Sequence, residues 1–127
     1  MQILDTDVLV DVLRSLASAE AWLGSLTRQS SAPGFVVMEL VRGCSDKADL
    51  RRVLGLTRLF PIIRPNEADC VRALTDYVAL HLNHNLGLLD ALITAPAVGR
   101  SATLVTFNAK HFTQVPDLTT EPPYARF

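Results

Sequence analysis

Three carboxylates, Asp5, Glu39 and Asp90, each break an otherwise apolar stretch. Asp5 directly follows Met1-Gln2-Ile3-Leu4, Glu39 sits within Met38-Glu39-Leu40-Val41, and Asp90 lies inside Leu88-Leu89-Asp90-Ala91-Leu92-Ile93. An ionised carboxylate among apolar neighbours is costly unless a cation or hydrogen-bond donors face it. Gathered together, three of them would repel, so they call for a divalent cation or raised pKa values. Donor sets made only of oxygen favour Mg2+ or Mn2+ over zinc. Two of the three also have an ordinary reading, Glu39 on a narrow exposed stripe and Asp90 favouring a helix dipole, while Asp7 or Thr6 is suited to cap the helix that follows the first strand. A cap at Asp7 leaves Asp5 unexplained, because Asp5 precedes the natural cap position.

The elements that must position these acids follow from hydrophobic period and turn chemistry. Residues 1–4 read as a short buried strand, and Val8-Leu9-Val10 with Asp11, Val12, Leu13 and Leu16 as the helix after it. Ser18 is expected to cap a second helix carrying Ala21, Trp22, Leu23 and Leu26. Ala32 to Val37 reads as a second strand entering a turn, and Val37 to Gly43 as a helix closed by glycine. Ser45 and Asp46 open a helix whose Arg51, Arg52 and Arg58 face water, and Leu59 to Ile63 forms a third strand. Pro65-Asn66-Glu67-Ala68 opens the longest helix, reaching about His84, with Cys70, Val71, Leu74, Tyr77, Val78 and Leu82 at helical spacing. A further helix starts at Leu88, where Pro96 predicts a kink, and Ser101 to Thr106 forms a fourth strand. Leu118-Thr119-Thr120 is a candidate edge strand. In a parallel sheet with right-handed crossovers, the strand ends and helix starts that carry Asp5, Glu39 and Asp90 converge on one edge.

Length and composition bound what such a site can belong to. A chain of 127 residues is read as one undivided domain, 1–127, able to bury a core without disulfides. Its 49% hydrophobic and 20% charged composition describes a globular protein, and no apolar run approaches a membrane span. The N-terminus carries no basic segment or small-residue cleavage site, so a cytoplasmic location without membrane association is expected. Cys44 and Cys70, far apart and without CxxC spacing, are expected to be reduced structural thiols. A net charge of −1 argues against a dedicated sticky nucleic-acid binder, though not against an enzyme that grips nucleic acid through a metal and a local basic rim.

Four blocks, Leu4-Asp5-Thr6-Asp7-Val8-Leu9-Val10-Asp11, Met38-Glu39-Leu40-Val41-Arg42-Gly43, Leu89-Asp90-Ala91-Leu92-Ile93 and Leu104-Val105-Thr106-Phe107-Asn108-Ala109-Lys110-His111-Phe112, resemble in order and spacing the signature blocks of PIN domains. Within that superfamily the chain is most similar to VapC toxins of toxin–antitoxin pairs. The resemblance implies an α/β, PIN-like three-layer fold with a central, mainly parallel sheet of four to five short strands flanked by helices. It implies a divalent-metal-dependent endoribonuclease using Mg2+ or Mn2+, neutralised by a cognate antitoxin and assembling as a homodimer. Asp5, Glu39 and Asp90 would be the acidic site residues, with Asp5 and Asp90 the direct metal ligands and Thr106 and Asn108 holding the phosphate or a water. Two positions depart from the pattern. Asp7 stands where Asn is frequent, so it either adds charge to the site or caps. The last block lacks the acid often present where Asn108 or His111 stands, which favours one strong metal site over two.

Arg14, Arg42, Lys110 and Arg100 are candidates to grip flanking phosphates, each weighed against an ordinary surface charge. His111 is a further candidate for phosphate contact or proton transfer. His81 and His84 are three apart, but no third ligand has matching spacing, so a solvated helix end is preferred there to zinc. Other classes remain in view. An aspartyl phosphotransfer enzyme would need a strand-end lysine, for which Lys110 is a poor candidate. An inert PIN-like domain binding RNA or protein, and a plain interaction module pairing through an apolar surface, are the others.

Overall fold

The computed structural model describes residues 1–125. Five short strands, β1 (Gln2–Leu4), β2 (Ser30–Pro33), β3 (Ile62–Ile63), β4 (Thr103–Val105) and β5 (Thr119–Glu121), form one sheet in the order β3-β2-β1-β4-β5. Every neighbouring pair is parallel. Six helices flank it: α1 (Thr6–Leu13), α2 (Ala17–Gly24), α3 (Gly34–Arg42), α4 (Lys47–Thr57), α5 (Glu67–His84) and α6 (Leu88–Gly99), with a 3-10 turn at Ala109–Phe112. Strands covered on both faces need continuous apolar runs rather than alternation. Ile3, Leu4 and Leu104, all fully buried, supply that at the centre of the sheet. Among the described residues, no helix is long and apolar enough to cross a membrane.

Strand order reverses direction at β1: the chain moves from β1 outward through β2 to β3, then returns to place β4 on the other side of β1. At such a switch point the loops leaving the two adjacent strands diverge, and a crevice opens at the carboxyl ends. Here those ends are Asp5, after β1, and Thr106, after β4, with the Asp5 amide donating to Val105 O at 3.0 Å.

Several elements sit elsewhere than their sequence predicts. β2 ends at Pro33 and α3 begins at Gly34, so Phe35, Val36 and Val37 are helical despite their strand-forming character. Helical packing that buries Val36 and Leu40 wins over local preference. Leu16, not Ser18, stands at the start of α2, without a side-chain cap. β3 is only Ile62–Ile63, and α6 runs through Pro96 to Gly99. The largest reversal concerns α5. Its predicted apolar face turns outward, leaving Val71, Leu74, Val78 and Leu82 between 63% and 90% exposed. The buried positions include Asp69, Ala73 and Asp76. Asp69 is both the third residue of a capping box with Asn66 and, at 3.2 Å, the partner of Arg100. That bond removes Arg100 from the phosphate-gripping candidates, since its guanidinium also donates to Pro96 O and Arg64 O.

Candidate active site

Asp5 is delivered by the end of β1 and is itself the cap of α1, accepting from the Thr6 amide at 2.8 Å. This corrects the assignment of that cap to Asp7 or Thr6. The second oxygen of Asp5 accepts from Thr106 Oγ1, also at 2.8 Å. Thr106 is fully buried and its hydroxyl in turn accepts from the Asn108 amide at 3.0 Å, so it braces Asp5 from behind and does not face a substrate. Asp7 Oδ2 accepts from the Phe107 amide at 3.1 Å and ties α1 to the turn that follows β4.

Glu39 reaches the same place from the middle of α3, half-buried, with Thr6 Oγ1 donating to Glu39 Oε1 at 2.7 Å. Asp90 arrives from the first turn of α6, and both of its protein hydrogen bonds fall on one oxygen: the Gly87 amide at 2.8 Å and His111 Nε2 at 2.7 Å. A Cβ at position 87 would stand 2.8 Å from that oxygen, so glycine is what lets Asp90 fold back over the helix start. The helix-terminus role weighed for Asp90 is therefore present alongside its place at the site.

Asp5, Asp7, Glu39, Asp90 and Asn108 all line one open cleft of about 340 Å³. The crowding has an electrostatic signature. Burial first, then the charge of Asp7, pushes the Asp5 carboxyl up to about 6, against the bonds from Thr106 and Thr6 and with a further upward push from Glu39. A cation in the cleft would favour the ionised form of Asp5 and so oppose these raising causes. Among the described residues no three acidic, His or Cys side chains are grouped so as to enclose an ion by themselves. The oxygen-only donors that line the cleft are of the type that suits Mg2+ or Mn2+ rather than zinc.

The basic candidates divide. Arg14 and Arg42 are exposed and line hollows that open beside Glu39, Arg14's also walled by Thr6 and Arg52. Lys110 is exposed on the 3-10 turn, next to His111. His81 Nδ1 lies 2.8 Å from Leu86 O, tying α5 to the loop before α6. Sequence reading missed two features close to the cleft. Asp11 is fully buried and accepts from Tyr124 Oη at 2.8 Å; its helical spacing from Asp7 was visible, but Tyr124 is 113 residues away. The Thr6 hydroxyl, considered only as a cap, orients Glu39.

Residues 3–118 match the family model of the PIN domain. The chain is similar to Ribonuclease VapC10 of Mycobacterium tuberculosis, 33% identical over 128 residues that cover 98% of this chain and 94% of the relative. Among solved structures it is similar to a toxin–antitoxin complex from Klebsiella pneumoniae, at 27% identity and a TM-score of 0.77 over 98% of both chains. DNA-bound VapBC from Salmonella typhimurium shares the fold, with a TM-score of 0.85 over 97% of this chain and 98% of that one at 18% identity.

Proposed function

This chain belongs to the PIN domain family, and from that premise we propose that it is a divalent-metal-dependent endoribonuclease, a VapC-like toxin neutralised by a cognate antitoxin. The observation that carries the reading is the meeting of Asp5, Glu39 and Asp90 in one cleft at the switch point of the sheet. Asp5 and Asp90 would hold Mg2+ or Mn2+. When bound, the ion supplies positive charge at the phosphoryl oxygens and makes water a better acid.

The chain's own groups do the rest. Glu39, with Thr6 donating to one oxygen, has the other available to take the proton of the attacking water. Thr106 keeps the Asp5 carboxylate from rotating away. Asn108, exposed in the cleft lining, can donate to a phosphate oxygen, and the candidates to hold the flanking phosphates are Arg14 and Arg42, in hollows that share Glu39 with the cleft, and the exposed Lys110. In-line attack then breaks the P–O3′ bond, leaving a 5′-phosphate and a 3′-hydroxyl. A second copy of the chain is the expected structural partner, and the aliphatic outer face of α5 is the surface suited to it.

The test is cleavage of RNA by the purified protein in Mg2+ or Mn2+. Activity should vanish with a chelator, and with Asp5→Asn or Asp90→Asn in protein whose circular dichroism is unchanged. Cleavage undiminished in chelator excludes the metal reading. A folded protein that binds RNA without ever cutting it supports the binding-module reading instead.

A further inference from the structure

We propose that His111 is a positioning residue for the metal site, fixing Asp90 so that a single one of its oxygens is presented to the cation. The inference rests on the metal reading above and concerns a residue which that reading leaves without a role.

The geometry is specific. His111 Nε2 and the Gly87 amide both bond Asp90 Oδ2, at 2.7 and 2.8 Å, and among the described residues neither Asp90 oxygen has another protein partner. Two donors on one oxygen fix the carboxylate's rotation and occupy the lone pairs that a chelating, two-oxygen grip would use. Oδ1 is left for the ion. An ionised carboxylate only accepts, so Nε2 must carry hydrogen, and this holds for the neutral ring with its proton there as well as for the charged ring. The imidazole is itself held. The 3-10 turn that carries it is anchored by Phe112, 3% exposed, whose ring meets the His111 ring edge-on at 5.1 Å. Hydrogen-bonded partners behind a ligating group set its orientation, and losing one weakens metal binding by roughly 10–100-fold.

The same contact has an electrostatic use. Asp5, Asp7 and Glu39 line the same cleft, and a donor on Asp90 offsets part of the negative charge that Asp90 brings to it. A site with no acid at position 111 thereby still keeps Asp90 in place, through a hydrogen bond rather than through a further ligand.

The experiment is Mn2+ binding, measured by calorimetry and by loss of the free-ion paramagnetic resonance signal, on the full chain and two variants. Gln at position 111 can set its amide nitrogen where Nε2 stands, whereas Ala cannot. We expect His111→Ala to weaken Mn2+ affinity about 10–100-fold, and His111→Gln to remain within a few-fold of the parent, with thermal unfolding of both close to the parent in chelator. Equal Mn2+ affinity for parent and Ala variant overturns the positioning role alone. Equal weakening by Gln and Ala overturns the hydrogen bond as its cause. A parent protein that binds no Mn2+ overturns both this inference and the metal reading.

Discussion

The cleft at the ends of β1 and β4 gathers one buried carboxylate, Asp5, and three half-buried ones, Asp7, Glu39 and Asp90, whereas the outer face of α5 holds four aliphatic side chains in solvent. Both regions run against the usual partition of polar and apolar groups, in opposite senses. In the cleft the misplaced groups are acidic and braced by Thr6, Thr106, Gly87 and His111, so the partner that would relieve them, on the proposed reading, is a small hard ion. On α5 the misplaced groups form a smooth stripe at helical spacing, which only another apolar surface can cover. The contrast teaches that a defect in patterning carries information about the missing partner: its chemistry follows from what is out of place.

The contrast breaks most decisively at Asp5. Asp5→Asn keeps a good cap for α1 but loses the anionic ligand, and RNA cleavage should fall by roughly a thousandfold or more, given the several kcal/mol a metal supplies. If turnover in Mg2+ survives the change, the cleft is not the active site. The same substitution should stabilise the metal-free protein near neutral pH, because it removes a buried charge.

Next in size is the pH dependence of stability. The Asp5 carboxyl, raised from 3.8 to about 6 in the fold, is held protonated there over a range where the unfolded chain ionises. Its favourable contribution is therefore complete below about pH 4 and lost as pH rises through 6, a decline of roughly 2–3 kcal/mol for this group. Urea unfolding in chelator between pH 4 and 7 should show that decline in the parent and not in Asp5→Asn. Saturating Mg2+ should flatten it.

The α5 stripe is sharpened by Val78→Glu, a position 72% exposed. If a second copy covers the stripe, as proposed, sedimentation should show the dimer weakened by about tenfold or more, on the scale of losing an interface anchor. Unfolding of the dilute monomer should stay within about 0.5 kcal/mol, as for other surface changes. An unaltered dimer would assign the stripe to some other partner. Smallest is Lys110→Ala on the rim: RNA affinity should drop a few-fold and the salt slope by about one unit, whatever the RNA sequence.

The acids that meet in the candidate cleft were legible in the chain because charge inside an apolar run is a local signal, and Asp5, Glu39 and Asp90 each show it. The buttresses were not. Thr106 meets Asp5 across 101 residues, and no local pattern encodes that contact. The α5 error has a different origin. Periodicity shows that a helix has two unlike faces without stating which one meets the core. Here the inward positions Asp69 and Asp76 are satisfied by Arg100 and Arg72, which frees the aliphatic side to look out. The late start predicted for α3 came from trusting Val36 and Val37 as strand formers, when their burial depends on α3 lying against the rest of the core.

The parallel pairing of β4 with both β1 and β5 makes the edge strand a remote support of the cleft. The Thr106 amide is paired with Glu121 O, and Thr106 in turn secures the residue that ends the first strand. Removing β5 would leave the Thr106 amide without Glu121 O, so the support behind Asp5 depends on a strand that touches none of the acids itself.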